Sequence, residues 1–159
     1  MKIIENLLIR FFTKELTQIE SKNGDVIIKF PGKFKVRTRK RLVQIFDLED
    51  ESFLLQFSIM NDEKGNEFDV NLELNNELKN NPNAEIQSTG KYDCVCSATK
   101  TKDMREIIYS WKIGYSTKRI LATLLISGLN NRTDINKRIC LAEKFFNGIE
   151  IKTHYNNVS

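Results

Sequence analysis

The sequence predicts an α+β fold: a single domain in which helices near the two ends of the chain pack on an antiparallel β-sheet. Three observations predict it. Apolar residues near the N-terminus and again near the C-terminus recur at three- and four-residue spacing, as one face of a helix requires. Between them, from Val26 onward, the spacing shortens to two in segments rich in β-branched and aromatic residues. Asn, Gly, Pro and Asp punctuate those segments as turn residues do. A chain of 159 residues can bury one sizeable core, and no repeat, linker or low-complexity tract divides residues 1–159.

The leading segment, residues 1–21, reads as an amphipathic helix, with Ile3, Ile4, Leu7, Leu8, Phe11, Phe12, Leu16 and Ile19 on one face. Asn23-Gly24 ends it with a strong turn signal. Residues 25–152 are expected to hold the sheet and the remaining helices. Strands are expected over 25–30, 33–41, 42–48 and 52–60, with a bend at Pro31-Gly32 and a polar turn at 61–66. Over 67–83 two periods compete. Phe68, Val70, Leu72 and Leu74 alternate as in a strand, whereas Val70, Leu74 and Leu78 fit a helix that stops near Pro82. The helix is the expected state over about 69–80.

A meander follows, with strands over 84–89, 92–100, 105–114 and 117–127 and turns at Thr89-Gly90, Lys102-Asp103 and near Gly114. The last helix takes Thr133 or Asp134 as its N-cap and Gly148 just past its C-terminus. Ile135, Ile139, Ala142, Phe145 and Phe146 form its core face. Residues 149–155 close the chain as a short strand, and 156–159 are expected to fray.

This order of elements resembles the superfamily that includes the PsbP proteins of photosystem II, a Ran-binding nuclear import factor and many small bacterial proteins. The likeness rests on IIKFPGKFKV opening the sheet, SWKIGYSTKRILATLLIS as its closing hairpin, and AEKFFNGIEI as a helix running into a final strand. It covers most of residues 25–152 and leaves the leading helix outside the minimal pattern. The resemblance implies a non-catalytic binding protein and transfers no functional residue to this chain.

The residues themselves offer little to catalysis. His154 is the one histidine, near the C-terminal end, where a general base would lack a rigid, partly buried setting. Cys94, Cys96 and Cys140 lack C-x-x-C spacing, and a bridge between Cys94 and Cys96 would be strained; free thiols in a reducing compartment are expected. Cys94, Cys96 and His154 would make a zinc set only by coincidence of folding. Asp47, Glu49, Asp50 and Glu51 lack the glycine and spacing of a calcium loop, and GKFK after Pro31 is not a phosphate-binding loop. No cofactor is expected. Tyr109, Trp111 and Ile113 share one face of a strand, which suits packing under a helix better than base stacking. No run of apolar residues is long enough to span a bilayer and no cleavage site follows the N-terminus, so a cytoplasmic protein is expected.

Charge is the informative feature. Residues 1–41 hold 11 Lys and Arg against 4 Asp and Glu, residues 42–90 hold 2 against 11, and residues 91–159 hold 12 against 6. Within KFKVRTRKR a strand puts Lys33, Lys35, Arg37, Arg39 and Arg41 on one face. Three readings compete for this stripe: a solvated face or protected edge, neutralised within the chain by the adjacent acidic DLEDE; a docking site for an acidic protein; or a nucleic-acid contact. A pI near 8.9 is modest for a dedicated nucleic-acid binder. The expectation is a non-enzymatic protein-binding protein, most specifically a small bacterial immunity or inhibitor protein that binds a toxin or effector. A chaperone for a secreted effector and an RNA- or DNA-binding module are the alternatives, and the leading helix is a candidate homodimer contact.

Overall fold

The computed structural model describes residues 2–3, 7–12, 16–21, 24–32, 34–39, 42–47, 53–103, 105–127 and 132–152. In place of the expected leading helix stand strands β1 (Lys2–Ile3), β2 (Leu7–Phe12) and β3 (Leu16–Ser21). β2 and β3 form an antiparallel pair running from Leu7↔Ser21 to Phe12↔Leu16. The apolar doublets Ile3-Ile4, Leu7-Leu8 and Phe11-Phe12 satisfy a helical period and a strand equally well. The polar positions of β3 decide between them. Thr17 and Ser21 are buried with Ile19, whereas Gln18 and Glu20 are half-buried, which is a period of two. The Thr17 hydroxyl donates to the Gly32 carbonyl at 2.8 Å, and Ser21 Oγ accepts from the Val26 amide at 3.0 Å. Both hydroxyls are thus satisfied at the two ends of the segment that follows, at Val26 and Gly32. A helix as a homodimer contact, or as the mark of a secretion chaperone, has no counterpart here.

The rest follows the expected order: β4 (Val26–Pro31), β5 (Phe34–Arg39), β6 (Leu42–Asp47), β7 (Leu54–Asn61), α1 (Val70–Leu78), β8 (Glu85–Thr89), β9 (Tyr92–Lys100), β10 (Glu106–Tyr115), β11 (Lys118–Ser127), α2 (Arg132–Asn147) and β12 (Ile149–Ile151). The middle segment is therefore helical. Asp69 caps it, its carboxylate accepting from the amides of Asn71 and Leu72 at 2.9 and 3.1 Å. Thr133 and Asp134 lie inside the first turn of α2, so neither is its N-cap. His154 and the tail 156–159 fall outside the described residues.

The strands make two antiparallel sheets. One has eight strands in the order β5-β6-β7-β11-β10-β9-β8, with β1 pairing β7 at Asn61 and Met60; the other has the order β12-β4-β3-β2. One core joins them. Ile19, Val26, Ile28, Phe30, Ile149 and Ile151 come from the smaller sheet, and Val43, Leu55, Phe57, Trp111, Ile113, Ile120 and Leu124 from the inner face of the larger. Helix α2 fills the space between with Ala142, Phe145 and Phe146. Phe145 lies 5.3 Å from Phe30 and 5.1 Å from Phe57 between ring centroids, and Phe146 lies 4.8 Å from Trp111. An Asp25–Lys118 ion pair at 2.8 Å and a hydrogen bond from the Ile151 amide to the Tyr92 hydroxyl tie the sheets at their ends.

Gly148 is needed for proximity. A Cβ there would come within 1.5 Å of the Lys29 carbonyl oxygen, because the Lys29 amide bonds the Gly148 carbonyl at 2.9 Å. Two outcomes follow for stability, both read by urea unfolding. Phe145→Ala should cost about 3–5 kcal/mol, the usual range for emptying a buried phenylalanine site. Gly148→Ala should destabilise although alanine is the better helix former, because the clash is with backbone. Unchanged midpoints would mean that α2 does not dock as described.

Candidate docking face

The larger sheet has two faces with different fates. Its inner face is the core. Its outer face carries α1 at one end, over β9 and β8. There Glu77 meets Lys112 at 2.8 Å and also accepts from Ser97 at 3.1 Å and from the Asn81 amide group. Arg119, buried on β11, reaches Asp62 at 3.4 Å and the carbonyls of Asn66 and Thr117, with its guanidinium 5.7 Å from the Phe68 ring centroid. Phe68 in turn lies over Gly114, where a Cβ would come within 2.1 Å of its ring. The acidic middle block therefore neutralises cations of the meander, and in doing so fastens α1 and the loop before it to the sheet.

The other end of the outer face holds the basic stripe. β5 is an edge strand of the larger sheet, and Lys35, Arg37 and Arg39 are all exposed on it. Lys33 and Arg41 lie outside the described residues, as do Glu49, Asp50 and Glu51. None of Lys35, Arg37 and Arg39 makes an ion pair among the described residues. Arg37 sits 5.5 Å from the ring centroid of Phe46, close enough for a cation–π contact.

Register lines up what lies beside them. Lys35 is opposite Phe46, Phe46 opposite Leu54, Leu54 opposite Leu125, and Leu125 opposite Ile108. These four apolar side chains are half-buried, so the row runs across the outer face with part of its surface in water. The neighbouring row is polar: Arg37, Gln44, Gln56, Thr123 and Ser110. Sequence reading found the stripe and missed the row. Its signal was present in SFLLQFSIM, where Leu54 and Leu55 place apolar residues on both faces of one strand.

The thiols offer no reactive group on the inner side. Cys94 and Cys96 are buried and Cys140 is exposed; all three are free. Burial pushes the Cys94 thiol up to about 11 and the Cys96 thiol up to about 12, so neither is a thiolate near neutrality. Among the described residues no three His, Cys, Asp or Glu side chains gather as a metal set, and no helix is long and apolar enough to cross a membrane.

Two measurements check these environments. A thiol reagent should modify Cys140 quickly in the native protein and reach Cys94 and Cys96 only on unfolding. Fast modification of all three would contradict the burial. The second concerns acid. The hydrogen bond from Lys112 holds the Glu77 carboxyl below the usual carboxylate range. Its contribution is then complete above the ordinary glutamate pKa and lost as pH falls through the lower folded value. Glu77→Gln should lower stability at neutral pH and flatten the acid limb of the stability curve, as followed by thermal unfolding at several pH values.

Comparison with known proteins supports the architecture. No family model and no curated protein matches the sequence. A crystal structure of a protein from Bacteroides thetaiotaomicron VPI-5482 is similar over 86% of this chain and 48% of that one, with a TM-score of 0.65 at 14% identity. The chain thus spans about half the length of the Bacteroides protein. The solution structure of cyanobacterial PsbP (CyanoP) from Synechocystis sp. PCC 6803 is similar over 89% of this chain and 95% of that one, with a TM-score of 0.59 at 12% identity. The resemblance drawn from the order of elements is therefore matched in three dimensions: this chain has a PsbP-like fold.

Proposed function

We propose that this chain is a non-catalytic protein-binding protein that docks an acidic partner on the outer face of β5, β6 and β7. The observation that carries the reading is the juxtaposition of Lys35, Arg37 and Arg39, unpaired among the described residues, with the half-exposed row Phe46, Leu54, Leu125 and Ile108. Cations steer an acidic surface towards the face, and apolar contact then holds it. A nucleic acid would engage the cations and leave the row wet, so the row favours protein over RNA or DNA. The more specific reading is an immunity or inhibitor protein that masks a bacterial toxin or effector, since the face offers occlusion and no chemistry.

The edge position of β5 supports a second reading. Cations on an open edge keep it from pairing with another sheet, and need no partner at all.

Reversing Arg37 and Arg39 to Glu separates the readings. Both side chains are exposed, so the fold should survive, as checked by circular dichroism. Affinity capture from native lysate after nuclease treatment should retain one discrete acidic protein on the wild type and lose it on the variant. Binding measured with that protein should slow mainly through the association rate, and less so at high salt. Equal capture by both forms would reject docking here, and retention of nucleic acid alone would favour the polyanion. If the variant instead self-associates with no partner lost, edge protection is the role.

A further inference from the structure

β5 ends the larger sheet, with β6 as its one strand neighbour among the described residues. In an antiparallel pair alternate residues bond across the ladder, and those between them turn their N–H and C=O outward. Among the described residues no main-chain hydrogen bond beyond the β6 ladder involves 34–39, so the outward row of β5 is open. An open row of this kind is a template for one more strand. The opposite edge, β8, differs: both helices come close to it, and it carries no Lys or Arg.

Side chains decide which strand the open row accepts. On the outer face Lys35, Arg37 and Arg39 are exposed; on the inner face Phe34 is buried, Val36 half-buried and Thr38 exposed. A strand laid beside β5 puts its own side chains directly opposite these, alternately on the two faces. A basic strand would be repelled on the outer face, and a neutral one would take water from the cations without replacing it. Carboxylates at every second position would meet the cations, and the residue between two of them would cover what Val36 leaves in water. Adjacent carboxylates cannot do both, because every other one would turn to the inner face beside Val36 and Thr38.

We propose that β5 takes an extended acidic segment of the partner as an added strand. Its Asp or Glu side chains fall at every second residue, opposite Lys35, Arg37 and Arg39, with an apolar residue opposite Val36. The cations then act as a filter: they refuse the strands that would otherwise pair with an open edge, and admit the acidic one. This inference rests on the docking reading and deepens it, since it states the backbone shape and the charge spacing of what docks. The row from Phe46 to Ile108 is left for the part of the partner that flanks the strand.

The probe is the peptide acetyl-Ser-Glu-Thr-Glu-Val-Glu-Val-amide, titrated at low salt into the ¹⁵N-labelled full chain. It is written to lie antiparallel, as the pairs of this sheet do, with its glutamates opposite Arg39, Arg37 and Lys35. It should bind saturably, and alternate amides of 34–39 should gain protection from hydrogen exchange. The isomer acetyl-Ser-Thr-Val-Val-Glu-Glu-Glu-amide, equal in charge, should bind at least about tenfold more weakly, because its carboxylates miss the register. Two further peptides keep the alternating order and are N-methylated, one at the glutamates and the other at the residues between them. The one methylated on the edge that meets β5 should lose binding at least about tenfold, and the other should keep it. Equal binding by the two isomers, equal binding by the two methylated forms, or binding without alternate protection would each overturn strand addition. So would no binding at millimolar peptide. In any of these cases capture of an acidic protein that is lost on Arg37→Glu/Arg39→Glu would still uphold docking, so the two failures are distinguishable. Should that variant fail to fold, the peptide comparisons on the wild type still decide.

Discussion

The approach of α2 to β4 is the contact on which the rest of the fold depends. Two sheets that each bury one face need something between them of the right thickness, and the rings of Phe145 and Phe146 supply it. Those rings reach Phe30 on the smaller sheet and Phe57 and Trp111 on the larger. They can do so only because the chain leaves α2 through Gly148, whose missing side chain lets β12 start against the Lys29 backbone. Interiors packed at crystal-like density tolerate little error in such a spacing. The glycine and the two phenylalanines thus act as one unit.

Electrostatics then divides the surface. The acidic middle block lies between two basic segments in sequence, and pairing with either was open. Folding places Glu73 and Glu77 of α1, and Asp62 before it, against Lys112 and Arg119 of the meander. Helix α1 has no buried residue, and Leu72 is 58% exposed, so polar contacts rather than apolar burial hold it in place. Because those carboxylates are engaged there, the cations of β5 keep their charge unopposed among the described residues. The two ends of one sheet face acquire opposite characters, one closed by ion pairs and the other open and basic.

A PsbP-like fold does not specify what such a face meets, since one fold hosts many functions. The chemistry of the sites is what discriminates. On the outer face, exposed cations beside half-exposed apolar side chains favour a macromolecular surface.

The sequence by itself determined the class of fold, the four-strand meander and the core face of α2, because in those segments one period has no rival; over 67–83 two periods competed, and the Asp69 cap shows the helix to be the outcome. Tyr109, Trp111 and Ile113 were legible as a core-facing set for the same reason. It also placed Lys35, Arg37 and Arg39 on one face, since alternation along a strand is a local property. Tertiary structure decided the rest. Paired apolar doublets at 3–12 fit either period, and only the partners available to Thr17 and Ser21 made residues 16–21 a strand. Which cations would be neutralised depended on where the acidic block landed, which no local pattern encodes. The row from Phe46 to Ile108 exists only as cross-strand register. Residues distant in sequence acquire those neighbours through pairing and packing, and through nothing shorter in range.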